Sequence, residues 1–181
     1  MDIVGYSKLV TDQQRELLNE LNKIVRETPQ FKQAEAVGKL IRRAGNVAAS
    51  RATYQRAVQE FTQELSTVSE DSGPAAALHS WLGIAYAGLG NAAAAAVSEG
   101  QKSMAQQPTS EDPFEGPGRE EQMAQIYALL GSADEAMPIL KRLLHTSSFT
   151  GITPELMRID PIWDPIRNDP RFQELVAEKT P

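Results

Sequence analysis

One displacement of 41 residues organises the middle of this chain. Gly83, Tyr86, Gly90 and Ala95 recur as Ala124, Tyr127, Gly131 and Ala136, small, aromatic, glycine and alanine in the same order. The spacing has a physical reading. A small residue at 83 or 124 lets a second helix approach closely, and the tyrosine three residues later fills the space beside that contact. The glycine marks where the first helix stops and turns. Ala95 and Ala136 are then the small residues of the returning helix at the crossing point. Each unit is expected to be a helical hairpin with two helices of about 16 residues.

These positions resemble the tetratricopeptide repeat, a 34-residue helix-turn-helix unit. The surplus of the 41-residue offset over that period fits Pro108 to Gly118, PTSEDPFEGPG, as a proline- and glycine-rich loop between hairpins. The place usually held by tryptophan is His79, with Trp81 two residues on. In the second helix Glu99 and Lys102 stand where the other unit has Leu140 and Leu143. Upstream, Tyr54, Ala57, Val58, Phe61, Leu65 and Val68 form a helical stripe closed by Glu70-Asp71-Ser72-Gly73-Pro74. That helix, over 50–69, would supply half of a preceding unit, giving about two and a half repeats. So short a stack requires caps.

The C-terminal stretch TPELMRIDPIWDPIRNDPRFQELVAEK offers one. Asp-Pro at 160, 164 and 169 suits helix starts, aspartate at the N-cap and proline at the first helical position. Short helical turns are expected there, then a helix from Pro170 to about Glu178. Ile159, Ile162, Trp163, Ile166, Phe172, Leu175 and Val176 should fold back on the last hairpin. Over residues 48–181 the chain is similar to C-terminal tetratricopeptide modules of bacterial multidomain signalling proteins, in which a cyclase, serine/threonine kinase or DNA-binding domain precedes the repeats. IDPIWDPIRNDPRFQELV and FEGPGREEQMAQIYALLG carry that resemblance. It implies protein binding or structural coupling, without chemistry.

Residues 1–46 are of another kind. Ile3, Val4 and Tyr6 suit a short strand. Leu17, Leu18, Leu21, Ile24 and Val25 stripe a helix over 11–27, which Thr11 and Gln14 can cap and Thr28-Pro29 ends. The run DIVGYSKLVTDQQRELLNELNKIVRETPQFKQAEAVGKLIR resembles the start of a class III adenylate/guanylate cyclase domain. On that resemblance Asp2 corresponds to the first metal carboxylate and Ile3 offers a backbone carbonyl. The reaction needs two metal ions on hard oxygen ligands to clamp a nucleoside triphosphate and activate the ribose 3'-hydroxyl. After Arg42, however, Arg43-Ala44-Gly45-Asn46 leads straight into the repeats, without the Gly-Asp-Gly hairpin that bears the second aspartate. One carboxylate cannot hold two metals. The expectation is a non-catalytic cyclase remnant, residues 1–46, joined to a repeat module, residues 47–181. The alternative is a nucleotidyl cyclase fragment that completes its site by dimerisation.

Composition narrows the rest. The 181 residues carry a net charge of -6 and no cysteine, which excludes disulfides, thiolate metal sites and a cysteine nucleophile. Residues 1–46 hold eight basic and six acidic side chains and the remainder ten and 18, so the body repels phosphate backbones and nucleic acid is not an expected partner. No apolar run reaches the roughly 20 residues of a membrane span, and Asp2, Lys8 and Asp12 interrupt any signal-like stretch, which reads as cytoplasmic. His79 and His145 lie in helical patterns without a second ligand at i+3 or i+4. Gly83, Gly88 and Gly90 follow no strand, so no phosphate loop is formed. No cofactor is implied. Trp81, Tyr86, Tyr127 and Trp163 read as core, and the alanine run 92–96 as plain helix. If the first helices line a concave face, Ser80, Ile84 and Ala87, with Glu121, Gln125 and Ala128, would be exposed in a shallow groove for a protein or peptide partner. A homodimer through the stripe of helix 11–27 is a further reading.

Overall fold

Tyr54, Ala57 and Phe61 recur three and four residues apart, and that stripe draws α1 (Val47–Leu65) onto the helix that follows. The structure, a computed structural model, describes residues 47–145 and 152–177, and every regular element among them is helical. The fold is all-α over that range. The expected N-terminal strand, the helix over 11–27, Asp2 and Ile3 lie outside the described residues.

Two hairpins follow α1. The first is α2 (Gly73–Leu89) and α3 (Ala93–Gln106); the second is α4 (Gly116–Leu129) and α5 (Ala133–His145). Ser72 caps α2 by accepting the Ala75 N–H at 3.2 Å, and Pro74 lies in the first turn, where a missing N–H costs nothing. Gly90 and Gly131 both adopt φ +74°, a left-handed conformation that β-carbons disfavour. Each donates its N–H to the last turn, Gly90 to Ala87 and Gly131 to Ala128, while the Ser132 N–H reaches the Tyr127 carbonyl at 2.9 Å. The repeated glycines therefore do mark the turns.

The returning helices keep a different register. Two residues separate Gly90 from α3 but only one separates Gly131 from α5. In consequence Ala96, not Ala95, is the fully buried partner of Ala136, and Ala95 is only half-buried. Gly100 and Ser103 then take the places of Leu140 and Leu143, which removes Glu99 and Lys102 from the apolar positions that the 41-residue offset assigns them. The inter-hairpin loop is also shorter than expected, because Gly116, Pro117 and Gly118 open α4. Asp112 holds the loop by accepting the N–H groups of Phe114 and Glu115 at 3.1 and 2.9 Å.

Bare backbone joins the hairpins. A Cβ on Gly83 would lie 2.5 Å from Ile126 Cδ1 and 2.9 Å from the Ala96 carbonyl oxygen; one on Gly100 would lie 2.7 Å from the same methyl and 2.5 Å from Met123 Sδ. Ile126, on α4, is thus seated against α2 and α3 at once. On the other side of α2, the Tyr54 ring lies over Gly88, where a Cβ would come within 2.2 Å of it, and Phe61 meets Trp81 at 5.7 Å between ring centroids. Burial pushes the Tyr54 phenol up to about 12.

The C-terminal segment closes the stack through α6 (Pro154–Ile159), a 3-10 helix (Pro161–Ile166) that packs on α4, and α7 (Pro170–Ala177). Thr153 and Asp160 cap the first two, accepting the N–H groups of Leu156 and Ile162. Asp169 accepts the Arg171 N–H at 2.9 Å. Asp164 begins no element: it lies inside the 3-10 helix and binds Arg167. Ile162, Trp163, Ile166, Phe172, Leu175 and Val176 are buried as expected, with the Trp163 and Phe172 rings 6.3 Å apart. Ile159 is not. It is 75% exposed, on the outward side of a helix whose inward residues are Pro154 and Met157. Arg167 ties the segment together, donating to the carbonyls of Met157, Arg158 and Asp160.

Gly83→Ala should destabilise the protein by about 1–3 kcal/mol, because the Ala96 carbonyl is backbone and cannot give way. Gly90→Ala, which meets no steric neighbour, should cost about 1–2 kcal/mol for its φ alone. Urea unfolding followed by circular dichroism separates the two.

Candidate functional site

The groove expected on the first helices is not an open surface. Ser80, Ile84, Ala87 and Ala128 are 1%, 3%, 2% and 0% exposed. Ile84 shares the face of α2 that carries Trp81 and Gly88, and α1 covers that face. Ser80 turns to α3, where its hydroxyl lies 2.5 Å from that of Ser103. Ala128 is enclosed in the packing of α4, which meets α2, α3, α5 and the 3-10 helix. Glu121 and Gln125 are half-buried and bond to each other, Gln125 Nε2 donating to Glu121 Oε1 at 3.1 Å. The aromatic expectation fares better: Trp163 is core, while Trp81, Tyr86 and Tyr127 are partly covered packing residues.

Two clefts remain. The first, about 400 Å³, lies between α5 and α7 and is lined by Met137, Pro138, Lys141, Arg171, Glu174 and Leu175. Its floor is apolar, since Met137 and Leu175 are core residues, and its rim is charged. Arg171 is held in place by two carboxylates, Asp134 of α5 at 2.8 Å and Asp169 at the start of α7 at 2.7 Å. Those bonds raise the affinity of the guanidinium for its proton. Reciprocally, hydrogen bonds from the Arg171 side chain, and then from backbone N–H groups, bring Asp169 down from 3.8 to about 2. The rim thus sets a cation held by two carboxylates beside the exposed Lys141 and Glu174. The patterning of α5 and α7 contains these residues, but their meeting depends on how α7 folds back, which helical periodicity does not encode.

The second cleft, about 410 Å³, lies at the end of α1 and is lined by Thr62, Leu65, Ser66, Val68, Glu70, His79 and Lys102. His79 is buried, and its Nδ1 lies 2.5 Å from Glu99 Oε2, while Lys102 Nζ donates to Glu99 Oε1 at 2.7 Å. Burial acts to raise the Glu99 carboxyl, but the hydrogen bonds and charges of Lys102 and His79 outweigh it and hold the group below its ordinary value. His79, expected to have no role, is part of a polar network. His145 Nδ1 lies 2.7 Å from the Lys141 carbonyl oxygen. Among the described residues no cluster of three histidine or acidic side chains is placed to hold a metal ion, and no helix is long and apolar enough to cross a membrane.

Comparison with family models, with curated proteins and with solved structures finds no match for this chain.

Asp169 has a lower pKa folded than unfolded, so it stabilises the docked α7 above about pH 4 and that contribution fades as pH falls toward 2. In a Trp81→Phe background, Trp163 fluorescence should report release of the C-terminal segment over that interval. Asp169→Asn should be less stable at neutral pH and show a flatter acid dependence.

Proposed function

We propose that the chain is a cytoplasmic interaction scaffold of the tetratricopeptide kind, binding a protein partner through an exposed cleft of its helical stack. The observation that supports this is the serial packing of two hairpins with matching glycine turns, capped by a third layer whose junction leaves an amphipathic cleft between α5 and α7. Helix-lined clefts with an apolar floor and charged rim suit a peptide segment that inserts one or two apolar side chains. Arg171 is already paired with Asp134 and Asp169, so Lys141 is the rim cation left to meet a carboxylate flanking the apolar residues of the segment. The concave groove of the first helices has no part in this reading.

Residues 1–46 are proposed as a non-catalytic remnant of a cyclase domain, attached to a module whose task is assembly. Missing the second metal aspartate, that segment has no means to clamp two ions around a nucleoside triphosphate.

Peptides selected from a random library against the full chain should bind with Kd on the order of micromolar. Lys141→Glu, an exposed change, should weaken them by about fivefold with helicity intact. Affinity indifferent to Lys141→Glu and to Glu174→Trp, which fills the cleft, would refute the site. Purified chain given ATP or GTP with manganese should form no cyclic nucleotide at any protein concentration; product would overturn the non-catalytic reading.

A further inference from the structure

Three large apolar side chains stand exposed among the described residues: Phe114, Leu156 and Ile159. Leu156 and Ile159 belong to α6, with Arg158 between them in the sequence. Phe114 is set differently. It is 61% exposed in the loop between α3 and α4, with Glu111 and Asp112 before it and Glu115 after it.

That loop is bonded in place before anything docks on it. The Pro108 carbonyl accepts the N–H groups of Glu111 and Asp112 at 2.9 Å, and the Asp112 carbonyl accepts the Gly116 N–H at 2.9 Å. Asp112 Oδ1 takes the N–H groups of Phe114 and Glu115, and Gln107 Nε2 donates to its Oδ2 at 3.3 Å. Pro113, fixed in φ, immediately precedes the aromatic residue. An aromatic anchor on so constrained a backbone gives up little freedom on docking. Asp112 is engaged with backbone and Glu115 with Arg119 at 3.3 Å, which leaves the exposed Glu111 to meet a cation outside the loop.

The α5–α7 cleft is the complement of this loop. Its volume of about 400 Å³ has room for a phenylalanine side chain. Its floor includes Met137, whose polarizable sulfur suits an aromatic edge, and Lys141 on the rim can face the ring or a carboxylate beside it. Leu156 and Ile159 would bring Arg158 toward Lys141 instead, like charge to like. Phe114 does not line the cleft of its own chain. We infer that a second copy of this chain occupies the cleft, seating Phe114 on Met137 and Leu175 with Glu111 against Lys141. The inference rests on the reading of that cleft as a peptide site and names its occupant. Loop and cleft are different surfaces, so the contact is heterologous and runs head to tail from copy to copy.

Sedimentation of the full chain tests this. A single small contact should give association with Kd on the order of 100 μM, passing beyond dimer near 1 mM. Phe114→Ala should weaken it by about tenfold or more with helicity intact. Glu111→Lys and Lys141→Glu should each weaken it by about fivefold, and the two together in one chain should restore it, because the ion pair is then reversed. A chain monomeric at about 1 mM, association unchanged by Phe114→Ala, or no recovery in the doubly reversed chain overturns the inference. If library peptides still bind such a chain and depend on Lys141, the cleft stands and the second copy is removed as its occupant. Loss of both removes the cleft as well.

Discussion

Ile126 touching bare backbone on two helices is the contact on which the stack depends. With side chains at 83 and 100, α4 would be held off both helices of the first hairpin, and the space now filled by Ile126 and Met123 would have no shape to receive them. Close approach of this kind contributes through many small dispersion contacts, and it is unforgiving because the opposing surface is backbone. It also explains the composition of the first hairpin. Ala96, Gly100 and Ser103 are all small and all buried, so α2 and α3 lie against each other with little side-chain volume between them. The second hairpin, which has the 3-10 segment and α7 beyond it, fills its contact with leucine.

That asymmetry decides where polar groups can be buried. A contact built on small residues brings main chains together and leaves room for short hydroxyls, hence the Ser80–Ser103 pair, fully enclosed at 2.5 Å. Such pairs add little net stability, but they penalise a slip of one helix along the other, because each hydroxyl would lose its partner. Ion pairs do the equivalent service outside. Arg142 with Glu120, and Arg171 with Asp134, each join two different helices, and at exposed sites their value lies in register more than in energy.

The turns were legible in the sequence because glycine at a helix end has a conformational meaning that no other residue shares. The register of the returning helices was harder, since Ala92 to Ala96 are identical and periodicity cannot tell which of them faces inward. The clue lay further along: Glu99 and Lys102 opposite Leu140 and Leu143 is a chemical mismatch that a shift of one residue removes. Helical patterning also located the buried residues of the C-terminal segment, failing at Ile159, because Pro154 and Met157 take the inward places of the six-residue helix. The groove of Ser80, Ile84 and Ala87 was misread for a different reason. Register says which residues share a face of α2, whereas what covers that face depends on how the neighbouring helices α1 and α3 fold back on it, which periodicity does not encode.

The polar network around His79 lies at the border of what sequence can reveal. A lone histidine in a helical pattern carries no signal, and its partner Glu99 lies on the next helix, beyond any local spacing. Only with the hairpin closed do His79 and Lys102 meet Glu99, with Nε2 of the histidine buried. The second hairpin is the internal control. There the corresponding position is Glu120, which takes bonds from both Thr109 and Arg142. Two copies of one architecture, differing in whether a buried polar atom is satisfied, separate what the fold requires from what it merely permits.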